Sequence, residues 1–380
     1  MRLAYVHTGL WPSDSPSTTF TTYNAAALAE ECDRFWLFNK RNYEGSVKEV
    51  LNNRFGMEMP PDLELRSLRW LLRFTNRLYY RRVLRQLRSI HRRLGLDAVI
   101  SRNVTFLSHL AGLREELGVP AVFESHDFYA DLSERSDAGR GAVRRSRLER
   151  RYLPQVSCLV CLQESQRKLY REAFPDLRIE LARTGIHRVH PRTEPGRFVT
   201  YVGSLEDRKG IEVLLRAARA SQSKPPLLIV GGRSADEVEN VRQAAAGLAP
   251  DVSIELTGWV GKPELSRLLG RTAIGLLPLR DTFFNRHVTS PLKLFDYLAH
   301  GVPVIASDLP TLRELIVEGS TGLFYRPEDS DQLAGRIDEL WEDPERRAGM
   351  TESIYEECPK YLWSNRAKKL VGVVRELGKR

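Results

Sequence analysis

Long apolar runs are missing from this sequence. No stretch approaches the roughly 18 consecutive apolar residues that a transmembrane helix needs, and the first residues, MRLAYVHTG, lack the charged-then-apolar order of a signal peptide. The composition, 42% hydrophobic and 28% charged, is that of an ordinary globular protein. We therefore expect a cytoplasmic location.

Cysteine is also scarce, with four residues scattered along 380. That number excludes a disulfide framework of the kind found in small secreted domains. Cys158 and Cys161 form a C-x-x-C in the apolar run VSCLVCLQ. Positions three apart on a strand point to opposite faces, and no second Cys/His pair with ligand spacing is present. We predict core cysteines and no bound metal.

Acidic residues are missing from one segment. Residues 1–193 hold 32 Lys and Arg against 22 Asp and Glu, which leaves 26 against 27 for the rest of the chain. The densest part, Arg66 to Arg93, has ten arginines and no acid. Its apolar residues recur at helical spacing, with aromatic residues among them, at Leu68, Trp70, Leu72, Tyr79, Tyr80, Val83, Leu87, Ile90 and Leu94.

That pattern predicts a helix with one apolar and one basic face, for which two interpretations stay open. The helix could lie on an anionic membrane surface and bring the domain to a lipid-linked acceptor, or its apolar face could be ordinary core. The charged stretch GAVRRSRLERR, 141–151, favours membrane contact. A nucleic-acid module is the third interpretation; without a recognition helix or a stacking sheet motif, we expect no nucleic acid.

Short β-branched runs alternate with helix-length segments from end to end. They are RLAYVH, RFWLF, DAVIS, PAVFES and SCLVCL, then RFVTYVG, PLLIVGG, VSIELTG, AIGLLPL and VPVIAS. Such runs indicate parallel strands buried on both faces, and two series of them predict two doubly wound α/β domains.

The seam between the two series is HRVHPRTEPGR, 187–197, where prolines, a glycine and charges interrupt the pattern. We predict an N-terminal Rossmann-like domain over residues 1–190 and a C-terminal one over 191–360. The last segment, 361–380, has helical spacing and should pack back across the seam onto the first domain.

Glycine-rich loops follow two strands of the second half. After RFVTYV comes GSLEDRKG, in which Gly203 permits a tight turn and Arg208 and Lys209 add cationic donors. After PLLIV come Gly231 and Gly232. Ligands of open α/β sheets bind beyond the carboxyl ends of the strands, so these loops suit a diphosphate, although each alone is also common turn chemistry.

The stretch HVTSPLKLFDYLAHGVPVIASD, 287–308, predicts a short helix before a buried strand. Ser290 is a good N-cap, Pro291 suits the first helical position, and Gly301 should end the helix.

Lys293, Asp296 and His300 of this helix share one stripe. Lys293 adds a full charge to the positive end of the helix, which favours an anion, and Asp296 can accept hydrogen bonds from a ribose diol. A solvated Lys–Asp pair is the alternative. We favour the ligand site because three loops at strand ends supply cations and glycines together.

The first half offers weaker candidates at its strand ends. Ser17 or a nearby threonine is expected to cap a helix beginning around Thr18, and hydroxyl and N–H groups there could meet donor phosphate or acceptor across the cleft; a capped surface helix is the alternative. Strand PAVFES ends at Glu124, and His126 two residues later could donate a hydrogen bond to a sugar hydroxyl as charge develops. Arg102, after DAVIS, could also point into the cleft, and both Arg102 and Glu124 are possible contacts to sugar or acceptor.

The series YVGSLEDRKG, IVGG, TGWVGKPELSRLL, GLLPL and SPLKLFDYLAHGVPVIASDLPTLREL closely resembles the C-terminal half of GT-B glycosyltransferases of the group 1 type, family 4. The resemblance spans most of 197–330 and is looser before residue 197. It implies a GT-B fold, a nucleotide-sugar donor held by the second domain, an acceptor presented by the first, and transfer with retention and without a metal. We expect a lipid-linked or cell-envelope glycan intermediate as acceptor.

Carried over by position, the resemblance implies roles for individual residues. Lys209 and Lys293 would clamp the diphosphate, Asp296 would hold the ribose, and His126 would be catalytic together with the two lysines. The backbone near Gly258 and Trp259 would border the base. The implied donor site comprises Gly203, Ser204, Arg208, Lys209, Gly232, Gly258, Trp259, Ser290, Pro291, Leu292, Lys293 and Asp296.

Two departures from the family pattern stand out. Many members have two glutamates eight positions apart; here the second is Asp296 and the first falls at Val288. Asp281 or Asn285 could take over the missing contact to the sugar. The usual arginine after Gly203 is replaced by Ser204. A sugar-nucleotide epimerase of the same fold, or a non-catalytic binding protein, are the alternative functions.

Overall fold

The computed structural model describes residues 1–41, 45–69, 76–136, 138–205 and 210–379. Within these ranges the chain forms one seven-stranded and one six-stranded sheet. All neighbouring strands in these two sheets are parallel. Helices cover both faces of each sheet, so the predicted α/β fold with two doubly wound domains is confirmed.

The first domain contains seven strands in the described residues. They are β1 Arg2–Trp11, β2 Arg34–Arg41, β3 Leu63–Arg69, β4 Ala98–Ser101, β5 Ala121–Glu124, β6 Cys158–Cys161 and β7 Ile179–Leu181. The helices between them are α1 Pro16–Glu30, α2 Val47–Val50, α3 Asn76–Leu94, α4 Leu107–Leu117, α5 Arg140–Tyr152 and α6 Glu164–Ala173. A single π-helical turn, Leu51–Phe55, continues α2.

The second sheet consists of β8 Phe198–Val202, β9 Leu227–Val230, β10 Ile254–Gly258, β11 Thr272–Leu277, β12 Val304–Ser307 and β13 Gly322–Tyr325. Its helices are α7 Ile211–Ala220, α8 Ala235–Leu248, α9 Lys262–Gly270, α10 Phe283–His287, α11 Leu292–Ala299, α12 Pro310–Arg313, α13 Ser330–Trp341 and α14 Pro344–Glu357. The last helix is α15, Trp363–Leu377.

Strand order places a functional crevice in each domain. The first sheet has the order β3-β2-β1-β4-β5-β6-β7 and the second β10-β9-β8-β11-β12-β13. The order therefore reverses between β1 and β4 and again between β8 and β11. Because ligands bind beyond the carboxyl ends of strands at such switch points, the loops after these four strands frame the site.

Alternation along the strands explains why both faces of the first sheet are covered. In β1, Leu3 and Tyr5 belong to one buried cluster, whereas Ala4 and Val6 belong to the cluster on the other face. The C-x-x-C of β6 follows the same rule. Cys158 and Cys161 are fully buried in opposite clusters, and burial raises the pKa of both thiols. They are core cysteines, as predicted.

The prediction of a helix over Arg66 to Arg93 is only partly confirmed. Residues up to Arg69 belong to β3, and α3 begins at Asn76, because the apolar period of two in LELRSL continues the sheet. Leu68 therefore lies in a strand, while Trp70 and Leu72 lie outside the described residues.

The apolar face of α3 is core. Its residues Tyr79, Tyr80, Val83, Leu87 and Ile90 are buried in the cluster that also contains Val6 of β1. The two tyrosines expected at a membrane interface form hydrogen bonds inside the domain instead: the Tyr79 hydroxyl donates to the His7 carbonyl, and the Tyr80 hydroxyl pairs with Thr105 Oγ1. Apolar packing of this helix against the sheet leaves its arginines on the outside.

The C-terminal helix returns to the first domain. Residues of α15, including Trp363 and Leu370, are buried with Phe20 of α1 in one cluster. The indole of Trp363 meets the Phe20 ring edge to face, with centroids 5.0 Å apart. The chain thus crosses the seam twice, once through the linker after β7 and once before α15.

Candidate functional site

Helix α11 begins one residue later than its sequence suggests. Pro291 is the N-cap, with φ −73° and ψ 115°, and the first helical residue is Leu292. Ser290 is not the N-cap that we predicted, because its hydroxyl donates a hydrogen bond of 2.8 Å to Thr184 Oγ1, in the linker that follows β7. The helix ends at Ala299 and is followed by Gly301 with φ +60°.

Lys293 lies against the turn that follows β8. Its Nζ is 4.2 Å from the centroid of the Tyr201 ring. A Cβ on Gly203, whose φ is +150°, would lie 3.5 Å from the same ammonium and 3.1 Å from the Tyr201 hydroxyl. The Tyr201 hydroxyl in turn donates to the Ser204 carbonyl at 2.7 Å. A full positive charge therefore stands beside a glycine turn at the β8/β11 switch point.

The glycines of the neighbouring loops let the backbones meet. A Cβ on Gly231 would lie 1.8 Å from the Gly203 carbonyl oxygen, and one on Gly232 would lie 2.6 Å from Val238 Cγ2. Both positions also have positive φ, 153° and 106°. A side chain at Gly231 would displace the loop that contains Gly203, and one at Gly232 would displace the Val238 side chain of α8. The two predicted cationic residues of the first loop, Arg208 and Lys209, lie outside the described residues.

Asp296 faces away from Lys293, towards α9. Its Oδ1 accepts a hydrogen bond of 2.5 Å from Lys262 Nζ at the first position of that helix. The two charged residues of α11 thus border different parts of the crevice, one at the β8 turn and one near the loop after β10. His300, the third residue of the stripe, is buried and is held by the Asp296 carbonyl and the Ser266 hydroxyl.

An open cavity of about 100 Å³ lies between the domains beside Asp296. Thr19 and Tyr23 of α1 line it from the first domain, and Leu292 lines it from α11. Linker residues 185–188 form its back wall. Ring contact between Tyr23 and His187, with centroids 5.0 Å apart, ties α1 to that linker.

The loop after β10 contacts the first domain directly. Gly258 adopts φ +73°, and Trp259 is 45% exposed. The guanidinium of Arg54, in the π-helical turn, lies 4.9 Å from the Trp259 ring centroid and also pairs with Asp14. Sequence reasoning did not find this contact, since nothing near Arg54 marks it as facing the other domain.

Helix α1 begins earlier than expected in the loop after β1. Ser15 is the N-cap and accepts a hydrogen bond of 3.3 Å from Thr18 N, and Pro16 is the first helical residue. Neither Ser17 nor a threonine caps the helix. Thr18 is buried and donates to the Leu10 carbonyl, while Ser17 Oγ lies 3.5 Å from His7 Nε2.

His126 lies on Glu124 at the carboxyl end of β5. Its Nε2 is 2.7 Å from Glu124 Oε1, which also accepts from the Tyr5 hydroxyl at 2.9 Å. Burial lowers the pKa of His126 to about 4, and the nearby Arg102 charge acts in the same direction. Burial would raise the pKa of Glu124, but the Arg366 charge and the His126 hydrogen bond outweigh it and lower that pKa to about 2.

At neutral pH this pair is therefore an ionised carboxylate and a neutral imidazole. A carboxylate can only accept, so Nε2 of His126 carries the proton and donates it to Glu124. Nδ1 is left with a lone pair. The structure thus changes our expectation for His126, which we expected to donate to a sugar hydroxyl: in this tautomer its remaining nitrogen accepts.

Arg102 belongs to the same group of side chains. Its guanidinium lies 5.2 Å from the Phe20 ring centroid and 3.5 Å from the Ser17 carbonyl oxygen. Phe20 also meets His126 edge to face, with centroids 4.5 Å apart. Desolvation lowers the pKa of Arg102. The β1/β4 switch point therefore brings together Ser17, Arg102 and His126, three of the predicted residues.

The substituted glutamate position is part of the domain interface. Val288 is 2% exposed and belongs to the buried cluster of the first domain. Asp281 pairs with Arg286 on the surface, and the Asn285 amide donates to the Arg280 carbonyl at 2.8 Å. The segment that would carry a sugar-binding glutamate is thus packed into the opposite domain.

Both halves of the chain match glycosyltransferase domain families. Residues 21–188 match the family described as Glycosyltransferase Family 4, and residues 196–343 match Glycosyl transferases group 1. The structure of Anabaena Alr3699/HepE in complex with UDP-glucose has a TM-score of 0.73 at 15% identity, over 99% of this chain and 100% of that chain. The fold is GT-B, and the two glycosyltransferase domain matches together span most of the chain.

Curated relatives agree over one half of the chain. The D-inositol 3-phosphate glycosyltransferase of Corynebacterium urealyticum is 28% identical over 190 residues, 48% of this chain and 43% of that protein. The phosphatidyl-myo-inositol mannosyltransferase of Mycolicibacterium smegmatis is 28% identical over 176 residues, 44% of this chain and 42% of that protein. The matched part thus spans less than half the length of these relatives.

Proposed function

We propose that this protein is a retaining glycosyltransferase that moves a sugar from a nucleotide-diphosphate donor to a hydroxyl acceptor. The observation that carries the proposal is the position of Lys293, whose ammonium stands beside the Gly203 turn at the β8/β11 switch point. An anion held there would also meet the amino end of α11. Asp296, one turn further, borders the cavity where a ribose would lie.

Binding of nucleotide diphosphates tests the donor site. We expect one of UDP, GDP or ADP to raise the unfolding temperature of the wild type, with and without Mg²⁺, and Lys293→Ala to abolish this shift. Lys360→Ala is the matched control, because Lys360 is an exposed lysine of the second half that pairs with Glu357. Equal shifts in wild type and Lys293→Ala would disprove a donor site at Lys293.

Product analysis tests the reaction. A transferase releases nucleotide diphosphate only when an acceptor is present, whereas an epimerase of the same fold converts the nucleotide sugar alone. Retention predicts that the anomeric configuration of the product, measured by NMR, equals that of the donor. Full activity in EDTA is expected for transfer without a metal.

We further propose a lipid-linked acceptor reached at an anionic membrane surface. In the part of the chain that the structure describes, no helix has the length and apolarity to cross a membrane. Support comes instead from two basic helices, α3 and α5, which both pack against α4. Their exposed arginines are Arg77, Arg81, Arg82, Arg85, Arg92, Arg93, Arg140, Arg144, Arg145, Arg147, Arg150 and Arg151.

Vesicle binding tests this surface. Each basic residue near an anionic membrane contributes about 1 kcal/mol. We therefore expect Arg81→Ala, Arg82→Ala and Arg85→Ala together to weaken sedimentation with anionic vesicles about 100-fold and to leave nucleotide binding unchanged. The control removes Arg216, Arg242 and Arg267, three exposed arginines of the second domain. Equal binding to neutral and anionic vesicles would contradict the proposal.

A further inference from the structure

Arg366 connects the C-terminal helix to the centre of the first domain. It is 5% exposed, and each nitrogen of its guanidinium has a partner. Nε donates to Asn24 Oδ1 of α1 at 3.0 Å, one terminal nitrogen donates to the carbonyls of Ala182 and Arg183 in the linker, and the other donates to Glu124 Oε2. One side chain of the last helix thus joins α1, the linker and β5.

The Glu124 carboxylate depends on this contact. It is 1% exposed and lies between Arg366 on one oxygen and the Tyr5 and His126 donors on the other. A buried carboxylate without a cationic partner is strongly disfavoured and takes up a proton instead. The charge of Arg102 also lowers the pKa of Glu124, but the hydrogen bond of Arg102 goes to the Ser17 carbonyl.

Protonation of Glu124 on Oε1 would reverse the hydrogen bond to His126. A protonated carboxyl donates, and Nε2 of a neutral imidazole accepts only when the ring proton is on Nδ1. The anionic form of Glu124 therefore requires the proton on Nε2 of His126, whereas the form protonated on Oε1 requires it on Nδ1.

We propose that Arg366 is a positioning residue for His126: by holding Glu124 as an anion, it fixes the imidazole in the Nε2–H tautomer and leaves Nδ1 to accept a hydrogen bond from a substrate hydroxyl. The part of this inference that concerns substrate rests on the proposed transferase function. The part that concerns the tautomer does not, because it follows from the contacts of Glu124 alone.

The tautomer is measured by ¹⁵N NMR of the histidine side chains in the full chain, with the His126 signals assigned from His126→Gln. In the wild type at pH 7 we expect the proton on Nε2. Arg366→Met should move it to Nδ1, whereas Arg366→Lys should retain the wild-type tautomer. Arg375→Met is the matched control, because Arg375 is exposed on the same helix, and should change nothing.

Kinetics provide the second readout. Arg366→Met should lower kcat about 10- to 100-fold, and Arg366→Lys should restore most of it. The thermal shift by nucleotide diphosphate should be unchanged, since that site lies in the second domain. A purely structural role of Arg366 would lower stability without moving the ring proton.

Two results would overturn the proposal. One is a proton on Nδ1 in the wild type, which decides the matter even if Arg366→Met does not fold. The other is a folded Arg366→Met variant that keeps the Nε2–H tautomer. If the wild type shows no sugar transfer with any donor while the tautomer switches as expected, the transferase function fails and the positioning role stands.

Discussion

The Arg54 guanidinium lies 4.9 Å from the centroid of the Trp259 ring, so a side chain of the first domain touches the loop after β10 in the second. That loop is where the family resemblance places the nucleotide base. Phe55 and Gly56, which follow Arg54, also line the interdomain cavity. The π-helical turn therefore closes the side of the crevice on which we propose that the base lies.

Removal of this contact should weaken donor binding modestly. Cation–π pairs at exposed sites contribute about 0.5–1 kcal/mol, so Arg54→Ala should raise the KM for the nucleotide sugar about two- to fivefold at unchanged kcat. Arg267→Ala is the control, because Arg267 is an exposed arginine of α9 paired with Glu264. A lower kcat at unchanged KM would contradict a role in closing the base site.

Asp296→Asn should reduce the preference of the protein for a ribonucleotide diphosphate over its 2′-deoxy form. The carboxylate can accept two hydrogen bonds from a diol, and the loss of a charge-assisted bond corresponds to about a tenfold loss of affinity. We expect calorimetry to show that the wild type prefers the ribonucleotide diphosphate over its 2′-deoxy form and that Asp296→Asn binds both alike. Asp308→Asn, at an exposed ion pair with Arg313, is the control. Preserved discrimination in Asp296→Asn would place the ribose elsewhere.

Val288→Glu should destabilise the protein rather than restore a family glutamate. Val288 is buried in the cluster of the first domain, where an ionised side chain would have no solvent. The cost of an unpaired buried charge is about 3 kcal/mol, which lowers the unfolding temperature by roughly 5–10 °C. Val288→Ile should stay within about 2 °C of wild type. A stable and more active Val288→Glu variant would show that the segment moves out of the interface.

Stability should fall between pH 6.5 and pH 4 because of His126. Its pKa is lowered to about 4 in the folded chain from the usual value of about 6.5, so the unfolded chain binds more protons in this window. As the pH falls through this window, each pH unit lowers the free energy of unfolding by about 1.4 kcal/mol. In His126→Gln the loss between pH 6.5 and pH 5, measured by urea unfolding, should be smaller by about 2 kcal/mol. An unchanged pH dependence would show that His126 titrates normally.

Much of the fold could be predicted from runs of apolar residues. Ten runs became strands, but β3, β7 and β13 were missed. β7 has only three residues, GLFY of β13 is a short apolar run, and LELRSLR of β3 runs into an arginine-rich segment with helical spacing. Local periodicity cannot separate a strand from the helix that follows it when both contribute to one pattern.

The candidate site likewise has features that local sequence predicts and features that it does not. The glycine turns and the charged stripe of α11 are local features, so sequence reasoning named Gly203, Lys293 and Asp296. The ends of the helices depend on more than local sequence: Ser290 has the chemistry of an N-cap, but its hydroxyl donates to Thr184 after β7 instead. A competing partner more than a hundred residues away leaves no trace in local sequence.

The sequence by itself determined the two parallel sheets, the glycine loops after β8 and β9 and the charges at the start of α11, because burial, turn geometry and helix spacing are properties of a few adjacent residues. Only the tertiary structure decided which nitrogen of His126 is free. That depends on Glu124 in β5 and on Arg366, which is 242 residues further along the chain. Contacts between distant residues arise from how whole elements pack, and the burial of a charge then fixes its partner and its protonation.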